Sequence, residues 1–247
     1  MNWNEVFVVN PKPDVTVERV GAGKHRVVLV DGFYKHPDRV VELARSLSYV
    51  GGGNGNFPGV RALMSVDTRH LIGATGELWG ERLESFDAFH PVIFSGLQGG
   101  IPLNNGQRQP HLDPGVSALI YLNPADQCTG GTGLYRHKLT GLEKLPLQPT
   151  AEIAQLAVRC GINPESLKTP QGYTAFQDNI IFNPLFAGRG NDYINEGNDF
   201  WERIYLVAMK FNRMVVFDGR QFHSQHMKET DYREHTRLNQ LLYLRAV

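Results

Sequence analysis

The chain has 247 residues, of which 41% are hydrophobic and 20% are charged, as expected of an ordinary globular protein. Lysine plus arginine equals aspartate plus glutamate at 25 each, and a net charge of zero argues against nucleic acid or an acidic membrane surface as a partner. The two cysteines, Cys128 and Cys160, form no CxxC pair, which favours a reduced cytoplasmic protein. A disulfide between them is the minority interpretation.

The chain carries no recognisable targeting or membrane signal. Its first residues do not combine a basic segment with an apolar one, so we expect no signal peptide. No stretch approaches the roughly 18 apolar residues of a membrane span. The length allows one large domain or two small ones. Because no linker separates two cores, we predict a single domain over residues 1–247.

Helices are expected mainly in the first half of the chain. The apolar run at residues 26–31 predicts a buried strand, and the helical spacing of apolar residues at 38–47 predicts an amphipathic helix. The glycine-rich residues 51–56 are interpreted as a flexible connection, since no GK[ST] follows to make a phosphate cradle. A helix over 68–86 and a strand over 91–97 follow.

Strands dominate the second half. A strand over residues 117–122 ends at the Asn123-Pro124 turn, and a short helix is expected over 150–160. We predict a long insert at about 139–203, whose residues 161–198 show little periodicity and could act as a lid. Further strands are predicted at residues 203–211, 214–217 and 237–244. This order favours an α+β, mainly β fold, a sheet sandwich or distorted barrel with helices outside.

The most informative pattern is His111-Leu112-Asp113, answered much later by His223. Residues two apart in an extended segment point to the same face, so one segment can supply two ligands. His223 follows an apolar strand and a glycine turn, which could bring it to the same point. Two imidazoles and a carboxylate form the facial triad of non-heme Fe(II) oxygenases and leave positions open for O2 and a co-substrate.

Arg237 opens the last predicted strand. An arginine can pair bidentately with a carboxylate, so Arg237 is predicted to hold the distal carboxylate of 2-oxoglutarate. Tyr121 lies in the apolar strand after the HxD motif, and its hydroxyl would need a partner if buried, which the same carboxylate could supply. Asn239 shares the parity of Arg237 and is either a co-substrate contact or an ordinary polar residue of the sheet.

At these residues the chain resembles the Fe(II)/2-oxoglutarate-dependent dioxygenases, specifically their prolyl-4-hydroxylase-like branch. The resemblance implies a double-stranded β-helix (jelly roll) with flanking N-terminal helices. It implies that His111, Asp113 and His223 bind the iron, and that Arg237, with Tyr121, binds the C5 carboxylate of 2-oxoglutarate. The matching blocks are residues 28–33, 110–113, 118–123, 130–134, 217–223 and 236–237.

The chain departs from that branch before the HxD motif. Residues 101–109 contain no tyrosine for the co-substrate, so Gln107 or Gln109 could take its place. Because Asp113 is present, the resemblance favours hydroxylation over halogenation. The expected substrate is a small molecule or an amino-acid or peptide side chain. Two alternatives stay open, a cupin-like metal protein without 2-oxoglutarate chemistry and a non-catalytic sensor, although the HxH spacing usual in cupins is absent.

Overall fold

The computed structural model describes residues 3–51, 58–87, 89, 91–188 and 193–247, which are mostly β. Most of the predicted connection at 51–56 lies outside these residues. Five α-helices are present in the described part: α1 (Trp3–Val6), α2 (Pro37–Ser46), α3 (Arg69–Trp79), α4 (Ala151–Arg159) and α5 (Pro170–Phe176). The same part contains twelve strands: β1 (Asp14–Val20), β2 (His25–Asp31), β3 (Val50–Gly51), β4 (Val60–Met64), β5 (Leu83–Ser85), β6 (Val92–Leu97), β7 (Val116–Tyr121), β8 (Gly131–His137), β9 (Trp201–Ala208), β10 (Arg213–Asp218), β11 (His223–His226) and β12 (Arg237–Ala246).

The strands form a large and a small antiparallel sheet. The large sheet has the order β1-β2-β10-β7-β12-β6-β4-β3, and β5 pairs with the far end of β12. The small sheet has the order β11-β8-β9. Strands distant in the chain are therefore neighbours in space, and β12 lies between β7 and β6 at the centre of the large sheet.

The large sheet separates two hydrophobic cores. Helices α2 and α3 cover one face, where Leu43 and Leu71 pack in a cluster with Ile120 and Leu242. On the other face, Tyr121 and residues of β2 and β10 share a core with Leu134 and Val207 of the small sheet. Because successive side chains of a strand point to opposite faces, each central strand contributes to both cores.

Most predicted strands lie within one or two residues of observed ones, but the predicted helix over 68–86 is too long. Helix α3 ends at Trp79, and Gly80 adopts a left-handed conformation (φ 81°) at its C-terminus. Glycine allows this conformation without steric cost, so the chain leaves the helix there. Residues Leu83–Ser85 then form β5 against β12. Strands β1, β3, β4, β5, β8 and β11 were not predicted.

The segment between β8 and β9 contains more regular structure than its sequence pattern indicated. Besides α4 and α5 it holds short 3-10 turns at Pro164–Lys168 and Pro184–Phe186. Asn163, Thr169 and Asn183 each precede a proline and cap the turn or helix that follows with a side-chain oxygen. The segment has its own hydrophobic core, here called the insert core, which includes Leu156, Phe176, Ile181, Trp201 and Phe222.

Within the described residues, none of the helices combines the length and the hydrophobicity that crossing a bilayer requires.

Candidate metal centre

His111 and His223 are direct neighbours across two antiparallel segments. The backbone N–H of His111 donates to the carbonyl of His223 (2.8 Å), and the N–H of His223 donates to the carbonyl of His111 (3.1 Å). This double exchange fixes the two Cα atoms opposite each other. The ring centroids lie 4.4 Å apart. Two histidines separated by more than a hundred residues in sequence are thereby held side by side.

Asp113 completes the group. Its backbone N–H donates to the carbonyl of Gly219 (2.8 Å), which ties it to the turn before β11. Its Oδ2 atom accepts a hydrogen bond from the Ser117 hydroxyl (3.1 Å) and lies 3.1 Å from Nε2 of His223. One potential ligand atom from each of His111, Asp113 and His223 lies within 4.8 Å of the other two. Donors about 2.1 Å from one ion are about 3 to 4.2 Å apart, so the ligand atoms would move closer together when an ion binds.

The backbone orients the His223 ring. Its Nδ1 atom lies 2.8 Å from the carbonyl oxygen of Gln221, which can only accept a hydrogen bond. Nδ1 therefore carries a proton, and Nε2 faces the Asp113 carboxylate. A hydrogen bond of this kind behind a ligating histidine fixes both its tautomer and its direction.

The protonation states suit a metal site. Burial and the neighbouring His223 lower the pKa of His111 to about 4, so this ring is neutral at pH 7. Burial raises the pKa of Asp113, but the charge and hydrogen bond of His223 outweigh it and bring that pKa to about 2. Burial lowers the pKa of His223, but the neighbouring Asp113 carboxylate raises it by more, so the pKa lies above its usual value. A bound cation would take the place of the proton that Asp113 attracts to His223.

Gly219 lets the backbone carrying Asp113 come close to the turn before β11. A Cβ atom at this position would lie 2.8 Å from the Asp113 carbonyl oxygen and 2.9 Å from the Ser117 hydroxyl. The Asp113 carbonyl is not free to move, because the backbone N–H of Asp113 donates a hydrogen bond to the Gly219 carbonyl. A side chain here would therefore push the HxD segment away from His223.

We predict that Gly219→Ala weakens metal binding at least tenfold and lowers the free energy of unfolding by about 1–3 kcal/mol, the usual range for overpacking. Calorimetric titration with Mn²⁺ and urea denaturation measure the two effects. The matched control is Gly73→Ala in helix α3, where a Cβ atom meets open space. That change is expected to leave metal binding intact and to stabilise the protein by about 0.5–1 kcal/mol. Equal metal affinity in Gly219→Ala and wild type would contradict the role of Gly219.

Arg237 lies in the same cavity and is only 1% exposed. Its Nη1 donates to the Gln225 side chain (3.1 Å) and its Nη2 to the carbonyl of Gly131 (2.8 Å). Its Nε is buried without a hydrogen-bond partner in the described part of the chain. No described carboxylate lies within ion-pair distance. The charge is thus surrounded by neutral groups, with the Tyr121 ring centroid 5.8 Å from the guanidinium carbon.

The other predicted co-substrate residues occupy different positions. Asn239 lines the cavity, and its Oδ1 is buried without a partner among the described residues. The hydroxyl of Tyr121 is already 2.8 Å from that of Thr132. Gln109 is not brought to the cavity, because its side-chain amide is directed into the insert and donates to the carbonyl of Phe182 (3.2 Å). Its predicted place in co-substrate binding is therefore not supported by its position.

Sequence reasoning missed two polar residues of the cavity wall. Arg61 of β4 and Tyr243 of β12 line the cavity with the three candidate ligands, and Nη2 of Arg61 lies 3.3 Å from the Tyr243 hydroxyl. Tyr243 shares the parity of Arg237 and Asn239 in β12, which could have indicated its position. Arg61 lies in β4, a strand that was not predicted. The signal for this strand was the alternation of Arg61 with Ala62 and Met64, whose side chains are buried.

A family model matches most of the chain, at residues 11–180 and 185–238; it describes DUF6445, a family of unknown function. The chain belongs to the DUF6445 family. A comparison of this DUF6445 sequence with curated proteins found no match.

Among solved structures, the DUF6445 chain is similar to the non-heme alpha-ketoglutarate-dependent epimerase SnoN from nogalamycin biosynthesis. The match covers 92% of this chain and 79% of the SnoN chain at 14% identity, with a TM-score of 0.47. It is also similar to EctD from S. alaskensis in its apoform, over 98% of this chain and 81% of that one at 10% identity, with a TM-score of 0.42. Likeness at this level does not define an activity for this DUF6445 chain.

Proposed function

We propose that this DUF6445 chain is a non-heme Fe(II)- and 2-oxoglutarate-dependent oxygenase that hydroxylates a small molecule or an amino-acid side chain. The observation that carries the proposal is Arg237. A guanidinium that is 1% exposed and has no carboxylate partner among the described residues lies in the same cavity as His111, Asp113 and His223. A buried cation of this kind is expected to receive an anion from outside the chain.

The three candidate ligands fit Fe(II). Two imidazoles and a carboxylate suit a borderline divalent cation, so His111, Asp113 and His223 would hold it. His111 is neutral and Asp113 is ionised at pH 7, as ligands must be. With 2-oxoglutarate and O2, the bound iron would supply the oxidising chemistry, and the protein would position the reactants and balance their charges.

Arg237 fits a carboxylate of 2-oxoglutarate. A guanidinium has five N–H donors in one plane, and Gln225 and Gly131 receive two of them. The remaining donors include Nε, so one edge of the guanidinium can still form two parallel bonds to a carboxylate. Asn239, whose buried Oδ1 lacks a partner in the described part of the chain, would contact the same molecule through ordered water or the amide group.

The arrangement of strands supports a double-stranded β-helix (jelly roll) for this proposal. A large and a small antiparallel sheet share a core, and the candidate ligands lie where the two sheets meet. Helices α2 and α3 cover the outer face of the large sheet. The order of HxD, histidine and arginine along the chain supports the prolyl-4-hydroxylase-like branch.

Calorimetric titration of 2-oxoglutarate tests the proposal without knowledge of the substrate. We expect binding to protein that has been saturated with Mn²⁺ as a stand-in for Fe(II), and binding at least tenfold weaker to metal-free protein. Succinate formation with Fe(II), 2-oxoglutarate and O2 then tests turnover. Binding of Mn²⁺ without any binding of 2-oxoglutarate would overturn the proposal.

A further inference from the structure

The Arg237 guanidinium is held by two acceptors that belong to the small sheet. The side-chain oxygen of Gln225 in β11 accepts a hydrogen bond from Nη1 (3.1 Å), and the carbonyl of Gly131 in β8 accepts one from Nη2 (2.8 Å). Arg237 itself belongs to β12 of the large sheet. Its side chain therefore connects the two sheets. Both acceptors are neutral, so neither offsets the positive charge.

Gln225 reaches the guanidinium from the strand that carries a candidate metal ligand. It lies two residues after His223 in β11, so the two side chains point to the same face of the small sheet. Both residues line the cavity together with Arg237. The register partner of Gln225 in β8 is Thr132, which also lines the cavity. Gln225 thus connects the strand of the candidate metal centre to the proposed co-substrate residue.

The orientation of the Gln225 amide follows from its partner. A guanidinium only donates hydrogen bonds, so the amide oxygen must face Arg237, and the Nε2 atom with its two N–H groups lies beside that contact. Within the described residues, Nε2 has no hydrogen-bond acceptor. The buried Nε of Arg237 likewise has no partner in the described part of the chain. Both residues therefore keep donors for a molecule that enters the cavity.

An amide and a carboxylate of the same shape act differently on a buried cation. A carboxylate at position 225 could pair with the guanidinium bidentately, cancel its charge and occupy the donors that an incoming anion needs. The glutamine fixes the guanidinium through one hydrogen bond, leaves its charge intact and adds two N–H donors of its own. A buried charge that only neutral groups surround favours an anionic ligand.

We propose that Gln225 is a positioning residue of the co-substrate site, which holds Arg237 without neutralising it and donates an N–H group to the same carboxylate of 2-oxoglutarate. This inference rests on the proposed function and adds to it the residue that keeps Arg237 ready for an anion. Because Gln225 and His223 belong to one strand, β11 would align the carboxylate site with the metal centre.

Gln225→Glu tests the inference, because it exchanges an amide for a carboxylate and keeps the shape of the side chain. In calorimetric titration at pH 7.5, 2-oxoglutarate is expected to bind the full Mn²⁺-saturated chain at least about 30-fold more weakly than wild type. Mn²⁺ affinity should be no weaker. If Gln225 were merely an acceptor for Arg237, a carboxylate would serve equally well. Equal 2-oxoglutarate affinity in this variant and wild type would therefore overturn the inference.

Thermal stability shows whether the effect passes through Arg237. Gln225→Glu is expected to raise the thermal midpoint of the ligand-free protein by about 2–4 °C, because the buried guanidinium gains a charged partner. This rise should disappear in an Arg237→Gln background. An equal rise in both backgrounds would contradict the role of Gln225 beside Arg237.

Two further variants separate the hydrogen bonds from the charge. Gln225→Met has a similar length but no amide, and it is expected to weaken 2-oxoglutarate about three- to tenfold, the usual loss for a neutral hydrogen bond. Gln155→Glu, the same chemical change at an exposed glutamine of α4, is the matched control. It should leave the 2-oxoglutarate affinity and the thermal midpoint as in wild type.

The two proposals fail in different ways. If 2-oxoglutarate does not bind the Mn²⁺-saturated wild type, the proposed function is wrong, and glutarate is titrated into wild type and Gln225→Glu as a simple dicarboxylate. Weaker glutarate binding to the variant would still support the role of Gln225, whereas equal binding or no binding would overturn it. If 2-oxoglutarate binds wild type and Gln225→Glu equally, only the role of Gln225 is wrong.

Discussion

Replacing Asp113 by alanine is expected to abolish metal-dependent turnover and to weaken Mn²⁺ binding by at least about 100-fold. Asp113 is the anionic member of the three candidate ligands, and its Oδ2 also lies 3.1 Å from Nε2 of His223. Changes to groups that merely support a ligand usually cost 10–100-fold in metal affinity, so removal of a ligand should cost at least as much. Calorimetric titration with Mn²⁺ and succinate formation with Fe(II) measure the two effects.

The matched control for this change is Asp199→Ala, since Asp199 is an exposed aspartate in the segment before β9. It should bind Mn²⁺ like wild type. Circular dichroism and the thermal midpoint establish that the Asp113 variant is folded. If the folded Asp113→Ala protein kept Mn²⁺ affinity within threefold of wild type, the metal centre described here would be wrong.

Arg237→Ala is expected to weaken 2-oxoglutarate binding by about 100- to 1,000-fold while Mn²⁺ affinity changes by less than threefold. Loss of one partner of a buried, hydrogen-bonded charge pair costs about 2–5 kcal/mol, or about 30- to 5,000-fold, and the expected loss lies within these limits. Arg237→Lys should recover only part of the affinity, because an ammonium group lacks the planar pair of donors. Calorimetry gives the affinity, and the 2-oxoglutarate dependence of succinate formation gives the KM.

Arg245→Ala provides the control on the same strand. Arg245 is an exposed residue near the end of β12 and pairs with Glu84. Its loss should leave 2-oxoglutarate binding as in wild type. Unchanged 2-oxoglutarate affinity in a folded Arg237→Ala protein would contradict the carboxylate role of Arg237 and favour a metal protein without 2-oxoglutarate chemistry.

Two parts of the candidate site could be predicted because they depend on local patterns. His111 and Asp113 are two residues apart in one segment, and Arg237 and Asn239 are two residues apart in one strand, so each pair shares a face. The closeness of Gly219 to Asp113 could not be predicted, because it depends on two segments that are distant in the chain. Arg61 was missed because β4 was not recognised as a strand.

The errors in the predicted secondary structure have similar causes. The predicted helix reaches residue 86 because the apolar residues beyond Trp79 continue a plausible helical pattern. In the structure Gly80 ends the helix, and β5 pairs with β12. The insert appeared irregular because its helices are short. Its asparagine–proline and threonine–proline pairs were the local signal of where those helices begin.

The position of Phe222 links the candidate metal centre to the insert core. His223 belongs to the candidate metal centre, whereas the preceding Phe222 is packed in the insert core, with backbone hydrogen bonds to Tyr135 and Glu143. Local unfolding of the insert would therefore remove the support of one metal ligand. By thermodynamic linkage, occupancy of the centre and cooperative ordering of the insert must reinforce each other.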